Sequence, residues 1–567
     1  MKTQHYNKLL YLLQNCTTLR ELKQLHGVMI TTSLIKHVIP LSRLVDFCTN
    51  SPNLSNLTYA ESVFTHIDNP SVYIWNSMIR GHCNSNNSVK ALLMYKQMMH
   101  LGHCPDHFTF PSVLKSCAAT AKTSKTDRNY GECVHGRIIK TGFELDSYAS
   151  TSLMHFYCVI GDVDLGEKVF DEMPKRNVVA WTTLIAGYVD SYRGGDAIRL
   201  FREMEVQNVE PNEVTFANVL AACGQCRDLE TGRFVHGIVR QIGFRSSGMN
   251  SSMNIVLSTA ILDMYAKCGS LNVARELFNK MPLRNLVAWN SMIGAYNQYD
   301  KPREAIELFV DMKNVGFSPD KVTLLSLLGA SAKLGALVLG QELHAYVEKT
   351  NFGSAVAVVT ALMDMYCKIG DTHSALRIFD GLPKKDKLAW TSLIMGLVMN
   401  GQSEEALSLF DKMQRLEGVT PDHITYIGVL CACSYAGLVD EGIKHFMSMK
   451  DLYGLEPMEE HYGCMVDLLS RAGRLKEAEE LVGKMPMKPN LAIWGALLNG
   501  CEIHENVDTA GTVGSHLMEL RPESCGVYVL LSNIYARAKR WLEVSSAREL
   551  IREKRIERTY GWSVIVT

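Results

Sequence analysis

The side chains best equipped for chemistry in this sequence are cysteines and histidines. Cys223-Gly224-Gln225-Cys226 has the C-x-x-C spacing of a redox dithiol or of half a zinc site. His135, His236 and His344 recur in a shared phrase, Val134-His135-Gly136, Val235-His236-Gly237 and Leu343-His344-Ala345, like an aligned row of general bases. The positions argue for packing instead. Cys223 falls in the slot that Cys117, Ser331 and Cys433 fill elsewhere, a place for a small residue against a neighbouring helix. The histidines lie 101 and 108 residues apart, one long repeat each, which keeps them from meeting. We therefore expect no catalytic residue, no metal site and no cofactor.

The wider composition agrees with a packed, reduced chain. Sixteen cysteines are scattered through apolar segments such as Leu430-Cys431-Ala432-Cys433, as small hydrophobes are. Over 567 residues, 47% hydrophobic and 21% charged content gives a core to bury and excludes long disorder. Lys and Arg total 58 against 59 Asp and Glu, a net charge of −1, so a polyanion would have to be held by local geometry. No run approaches the roughly 18 apolar residues of a membrane helix, and the opening Met1-Lys2-Thr3-Gln4-His5-Tyr6 lacks a secretory core. The expectation is a soluble protein without membrane contact.

What must position these residues is a repeat. Trp75, Trp181, Trp289, Trp390 and Trp494 stand 106, 108, 101 and 104 residues apart. They open related phrases: Trp75-Asn76-Ser77-Met78-Ile79, Trp181-Thr182-Thr183-Leu184-Ile185, Trp289-Asn290-Ser291-Met292-Ile293, Trp390-Thr391-Ser392-Leu393-Ile394 and, more loosely, Trp494-Gly495-Ala496-Leu497-Leu498. Pro105-Asp106, Pro211-Asn212, Pro319-Asp320 and Pro421-Asp422 follow the first four, their last residues 31, 31, 31 and 32 positions beyond the tryptophan. One unit is thus about 35 residues, and the long period holds three. The second type carries the histidine phrase. The third carries Leu262-Asp263-Met264-Tyr265 or Leu362-Met363-Asp364-Met365-Tyr366, and ends in Met173-Pro174, Met281-Pro282, Leu382-Pro383 or Met485-Pro486.

Within a unit, Trp289, Met292, Ile293 and Tyr296 fall at i, i+3, i+4 and i+7, one face of a helix. Ala305, Leu308, Phe309 and Met312 repeat that spacing after Asp300-Lys301-Pro302, and Gly316 to Pro319 ends the second helix. Such short helices are marginal alone, and one hairpin cannot cover its own apolar face, so neighbours must stack. The product is an α-solenoid with a long working surface lined by first helices. A tetratricopeptide repeat would nearly satisfy the same stripe through Trp289, Met292 and Tyr296.

The Asn or Thr after each of the first four tryptophans, with Asp or Asn at the unit's end, separates the two. With phrases such as Leu262-Asp263-Met264-Tyr265-Ala266-Lys267-Cys268-Gly269 and Val178-Val179-Ala180-Trp181-Thr182, the sequence resembles the pentatricopeptide repeat family in its plant form of alternating P, L and S repeats. The likeness covers about residues 5 to 558 and implies an all-α, right-handed α-solenoid. It divides the chain into a degenerate L-type repeat at 1–37, an S repeat at 38–71, an array at 72–422, terminal L-like and S-like repeats at 423–458 and 459–490, and an E extension at 491–567. The array parses as P 72–106, L 107–146, S 147–177, P 178–212, L 213–254, S 255–285, P 286–320, L 321–355, S 356–386 and P 387–422, and the extension as two degenerate hairpins, 491–524 and 525–558. Tyr560-Gly561-Trp562-Ser563 only loosely resembles the Pro-Gly-Cys-Ser-Trp ending of that extension.

The resemblance implies single-stranded RNA as partner, one nucleotide per repeat, read by the fifth and last residues of each. Those pairs are Asn76 with Asp106, Thr151 with Asn177, Thr182 with Asn212, Thr259 with Asn285, Asn290 with Asp320, Thr360 with Asp386, and Thr391 with Asp422. An amide offers donors and an acceptor, a carboxylate only acceptors, and a hydroxyl either, so a pair can match one base edge and leave another unsatisfied. By the family's code Asn/Asp reads a pyrimidine with U favoured, Thr/Asn reads A and Thr/Asp reads G. L repeats, with Pro111, Ala217 and Leu325 at the fifth site, are poorly coded. The expected footprint, 5′ to 3′, is Y-n-A-A-n-A-Y-n-G-G. As alternatives, the tryptophans would be stacking platforms for bases, and Asn76, Thr182, Asn290 and Thr391 would be helix N-caps or first-turn polar residues. Burial is the expectation for the tryptophans.

The class implies that the footprint lies just upstream of a cytidine converted to uridine in an organelle transcript, in the mitochondrion or alternatively the chloroplast. Zinc deaminases need H-x-E with P-C-x-x-C, and none of the 18 histidines begins an H-x-E. The expectation is a non-enzymatic address reader without a DYW deaminase domain. A DYW-type deaminase and multiple organellar RNA editing factors would act in trans through the E extension. A peptide-gripping scaffold, or an RNA stabilisation or splicing factor without editing, is the competing expectation. Arg548, Arg552, Lys554, Arg555 and Arg558 form a basic tail suited to phosphate or to a solvated helix face.

Overall fold

Apolar stripes at helical spacing become helical hairpins throughout the described residues. The computed structural model describes residues 2–50, 54–121, 125–245, 251–415, 418–520 and 526–553, and among them there is no strand. Lys554, Arg555, Arg558 and Tyr560 to Ser563 lie outside the described residues. The chain divides into two units, Met1–Ala295 and Tyr296–Thr567.

In the first unit the helices Val72–Asn84 and Ser88–His100 make one hairpin, and Val178–Asp190 and Gly194–Val206 another. In the second, Lys387–Met399 pairs with Ser403–Arg415, and Leu491–Ile503 with Val507–Glu519. Within each unit first helices pack on their own second helices and on the first helix of the next repeat, as Val72–Asn84 does on Ser88–His100 and on Thr109–Ala121. The core runs along that seam, so an isolated hairpin would leave an apolar face in water.

The tryptophans anchor the seam. Trp75, Trp181, Trp289 and Trp390 are at most 3% exposed. Each meets, edge to face, the phenylalanine that ends the preceding second helix or lies near its end: Phe64, Phe170, Phe278 and Phe379, at centroid distances of 4.7 to 4.8 Å. That geometry suits the ring quadrupoles and leaves no face for a base. Trp494 departs from the pattern, half-buried and stacked on His516 at 4.6 Å.

The histidines are packing residues too. His135, His236 and His344 each bond through Nδ1 to the hydroxyl of a tyrosine in the next first helix, Tyr157 at 2.7 Å, Tyr265 at 3.1 Å and Tyr366 at 3.0 Å. Burial holds His135 and His236 below the ordinary imidazole value. Cys223 is fully buried and its thiol is pushed up to about 12 by burial, while Cys226 is exposed. Close approach between first helices requires glycine at Gly187 and Gly396, where a Cβ would collide with the sulfurs of Cys158 and Cys367.

Candidate nucleic-acid interface

The last residue of each of the seven pairs sits just ahead of the next first helix and caps it, in extended backbone at Asn177, Asn212, Asp320, Asp386 and Asp422. Asn177 Oδ1 accepts from the amide of Ala180, Asn285 from Ala288 and Asp386 from Ala389, each at 2.9 Å. Asp106 accepts from Thr109 at 3.0 Å, and Asn212, Asp320 and Asp422 accept from Thr215, Thr323 and Thr425 at 2.9 Å. These first amides have no partner inside the helix, so a side-chain oxygen here is worth about 1 kcal/mol. Capping therefore belongs to the last residues. Asn76, Thr182, Asn290 and Thr391 are not caps: Asn76, for instance, is the fifth residue of Val72–Asn84, whose N-cap is Ser71.

Capping orients what remains of each side chain. With Oδ1 bound to the helix, Asn177, Asn212 and Asn285 have their Nδ2 donors left over, whereas Asp106, Asp386 and Asp422 have Oδ2, an acceptor.

The fifth residues approach these groups by two routes. Asn76 Nδ2 donates to Asp106 Oδ1 at 2.8 Å, and Thr259 Oγ1 donates to Asn285 Oδ1 at 3.3 Å. Thr182 reaches Asn212 through Thr215, with Oγ1 atoms 2.7 Å apart and Thr215 Oγ1 donating to Asn212 Oδ1 at 2.9 Å. Thr391 reaches Asp422 the same way through Thr425, at 2.7 and 2.8 Å. Thr182 and Thr259 also bond to the backbone oxygens of Val178 and Ile255, at 2.8 and 2.7 Å; Thr151 and Thr360 donate only to those of Ser147 and Val356, and share no hydrogen bond with Asn177 or Asp386. Asn290 and Asp320 belong to different units.

Burial divides the labour. Thr182, Thr259, Thr360 and Thr391 are 6 to 8% exposed, while Asn177, Asn212 and Asp386 are exposed and Asp106, Asn285 and Asp422 half-buried. The last residue thus presents most of the polar edge, and the fifth residue forms the floor beneath it.

Two further sets of residues complete the arrangement. Thr109, Thr215, Thr323 and Thr425 are fully buried, and the hydroxyl of each accepts from the backbone amide of its own Asx partner, closing a reciprocal cap. Their signal in the sequence is the phrase Pro-Asp-x-x-Thr or Pro-Asn-x-x-Thr. The second set is apolar and exposed: Tyr73, Val179 and Leu388 lie three positions before Asn76, Thr182 and Thr391, on the same helix face. Phe108, Val214 and Ile424 take the same place in L repeats.

One cleft in the second unit gathers all these features. About 500 Å³ in volume, it is lined by Asp386, Thr391 and Asp422, with Leu388 and Ile424 as apolar walls and Lys368 and Lys387 at its edge. Lys368 also pairs with Asp364 at 2.7 Å, and Lys267 with Asp263 at 2.7 Å in the first unit, so the cations of this face are partly balanced. Apolar walls with an oriented polar group between them suit a planar ring that has a hydrogen-bonding edge.

Tandem helical hairpins stacked through their first helices define an α-solenoid, and known proteins place it more narrowly. Residues 70–119, 176–225, 284–333 and 385–435 match the PPR repeat family, residues 148–178, 256–286, 357–386 and 460–489 the PPR repeat, and residues 504–566 the E motif. A pentatricopeptide repeat-containing protein of Arabidopsis thaliana, At3g05240, is 51% identical over the whole of both chains. The chloroplastic At1g08070 of the same plant is 38% identical over 98% of this chain and 78% of its own, and the mitochondrial At2g22410 is 36% identical over 99% and 85%. Among solved structures, the pentatricopeptide repeat protein PPR10 in complex with an 18-nt psaJ RNA element superposes with a TM-score of 0.60 at 18% identity, covering 96% of this chain and 84% of that one. PPR10 from maize crystallised alone gives 0.52 at 17% identity, covering 94% and 82%. The chain belongs to the pentatricopeptide repeat family.

Proposed function

We propose that this chain binds single-stranded RNA sequence-specifically and marks a cytidine for conversion to uridine in an organelle transcript. The observation that carries the RNA reading is the capped Asx residue, whose one leftover group lies beside an apolar wall and above a small buried fifth residue. A base has an apolar face and a polar edge, and this pocket has a counterpart for each.

The leftover group supports the decoding. Adenine presents an acceptor at N1, which the Nδ2 of Asn177, Asn212 or Asn285 can satisfy. Guanine and uracil present ring N–H donors, which the Oδ2 of Asp106, Asp386 or Asp422 can accept. A buried threonine at the fifth site leaves room for a purine, while the longer Asn76 and Asn290 fill that room and favour a pyrimidine. The residue types Asn290 and Asp320 are assigned a pyrimidine by the same code. The proposed footprint is Y-n-A-A-n-A-Y-n-G-G, and relatives of known RNA-bound fold support RNA as the ligand class.

The E motif match supports editing as the outcome. In this reading the chain is no enzyme. A DYW-type deaminase and multiple organellar RNA editing factors act in trans, on a cytidine about four nucleotides beyond the nucleotide of the terminal S-like repeat. The mitochondrion is the proposed compartment and the chloroplast its alternative, since relatives are named for both.

Asp422→Asn tests the reading. The cap survives and the leftover acceptor becomes a donor, so preference at that nucleotide should turn from G to A. One matched base edge is worth about 1–3 kcal/mol, so the ratio of affinities should change by roughly tenfold or more. Equal binding of both RNAs by both proteins would end it.

A further inference from the structure

Two sulfurs on neighbouring first helices stand in contact outside the polar pairs. Cys431 lies on the helix His423–Ala436 and Cys464 on the helix Glu459–Arg471, which pack side by side. Their Sγ atoms are 3.4 Å apart, and both residues are partly exposed. We propose that Cys431 and Cys464 are an oxidative modification site, converted by a hydroperoxide into a reversible disulfide that ties these two helices together.

The sulfurs need to close from 3.4 Å to about 2.05 Å to make the bond. The Cys431 thiolate attacks one peroxide oxygen. The O–O bond breaks, hydroxide leaves and takes up the thiol proton as water, and Cys431 becomes a sulfenic acid. The Cys464 thiolate then attacks the Cys431 sulfur. An S–S bond forms, the S–O bond breaks, and a second water departs with the remaining proton. Two thiols have lost two electrons and the hydroperoxide has gained them, giving two molecules of water when it is hydrogen peroxide.

The surroundings choose the order of attack. Either thiol can donate in this contact; with Cys464 donating, the shared hydrogen bond lowers Cys431, while that contact and burial push Cys464 up. Asp467 opposes thiolate formation at both, but its carboxylate already accepts from Ser434 at 2.7 Å and from Arg471 at 2.8 Å. Cys433, two residues from Cys431, is fully buried and its thiol is pushed up to about 12 by burial, so it is a poor competitor. Once formed, the bond would fix the spacing of the terminal L-like and S-like first helices, next to Gly463, which occupies the fifth site of its repeat.

The test uses the reduced full-length chain treated with hydrogen peroxide, blocked with N-ethylmaleimide, digested with trypsin without reduction and examined by mass spectrometry. The expected product is a linked pair of peptides carrying Cys431 and Cys464, two hydrogens lighter than their sum and separated by dithiothreitol. The link should persist in Cys433→Ser and vanish in Cys431→Ser and Cys464→Ser. Recovery of Cys431 and Cys464 as separate maleimide adducts or sulfinic acids, a link through Cys433, or a link between two chains would each overturn the proposal. Cys431 and Cys433 share the tryptic peptide 416–444, so fragmentation of the wild-type linked pair must place the bond on Cys431, and a variant that fails to fold then does not blunt the test.

Discussion

At the scale of single residues, one side chain here does two jobs through two atoms. Oδ1 of Asp422 caps the helix His423–Ala436, and under the proposed reading its second oxygen meets the base. Substitutions can separate the jobs. Asparagine caps about as well as aspartate, so Asp422→Asn should leave local stability within a few tenths of a kcal/mol while changing what the atom outside the cap can bind. Alanine removes both, costing about 1 kcal/mol, and the Thr425 amide should then exchange its hydrogen roughly fivefold faster. Hydrogen exchange on the three proteins checks this. If Asp422→Ala leaves exchange at Thr425 unchanged, the cap is not what orients the carboxylate.

At the scale of elements, the seam between first helices depends on small residues facing sulfurs. Gly187 leaves no room for a Cβ beside Cys158, so Gly187→Ala should overpack the contact and cost about 1–3 kcal/mol. Cys158→Ala in the same chain should restore most of that loss, and thermal unfolding of the two variants would show whether it does. This seam is also where sequence reading succeeded best. The stripe Trp289, Met292, Ile293 and Tyr296 fixed helix, face and repeat together, because burying a tryptophan needs both neighbours in place. The interface was read less completely. Pro421-Asp422 reads as a helix stop, and a stop gives no hint that Thr425, three residues on, joins the aspartate to Thr391. Nor does spacing show which pairs close. Where a P repeat meets an L repeat, a threonine at the third helical position supplies a bridging hydroxyl. Where an S repeat meets a P repeat, Ala180, Ala288 and Ala389 stand there; Thr151 and Thr360 turn their hydroxyls to their own backbones, and Thr259 bonds to Ile255 at 2.7 Å and only at 3.3 Å to Asn285.

At the scale of the whole molecule, charge is the quantity that many residues share. Burial holds His82, His135 and His236 in the first unit, and His445 and His461 in the second, below the ordinary value of 6.5. Above that value folded and unfolded chains are both neutral at these sites. Below it the unfolded chain takes up protons first, so stability should be flat from pH 8 to about 7 and fall as pH drops through 6.5. Urea midpoints across that range check the sign, and a rise toward acid would refute it. Ionic strength probes a different set of groups. With a net charge of −1, no global field would draw RNA in, so on the proposed function affinity comes from local phosphate contacts and from base edges. Each phosphate neutralised on a single strand contributes about −0.7 to the slope of log K against log salt, so three or more contacts predict a slope of about −2 or steeper. Base-edge bonds release no counterions. The preference for G over A at the nucleotide facing Thr391 and Asp422 should therefore stay constant within about twofold while absolute affinity falls. Parallel salt titrations of the two RNAs measure both quantities. A flat slope would favour an apolar peptide groove, and a preference that collapses with salt would mean that phosphate placement, not the Asx edge, distinguishes the bases.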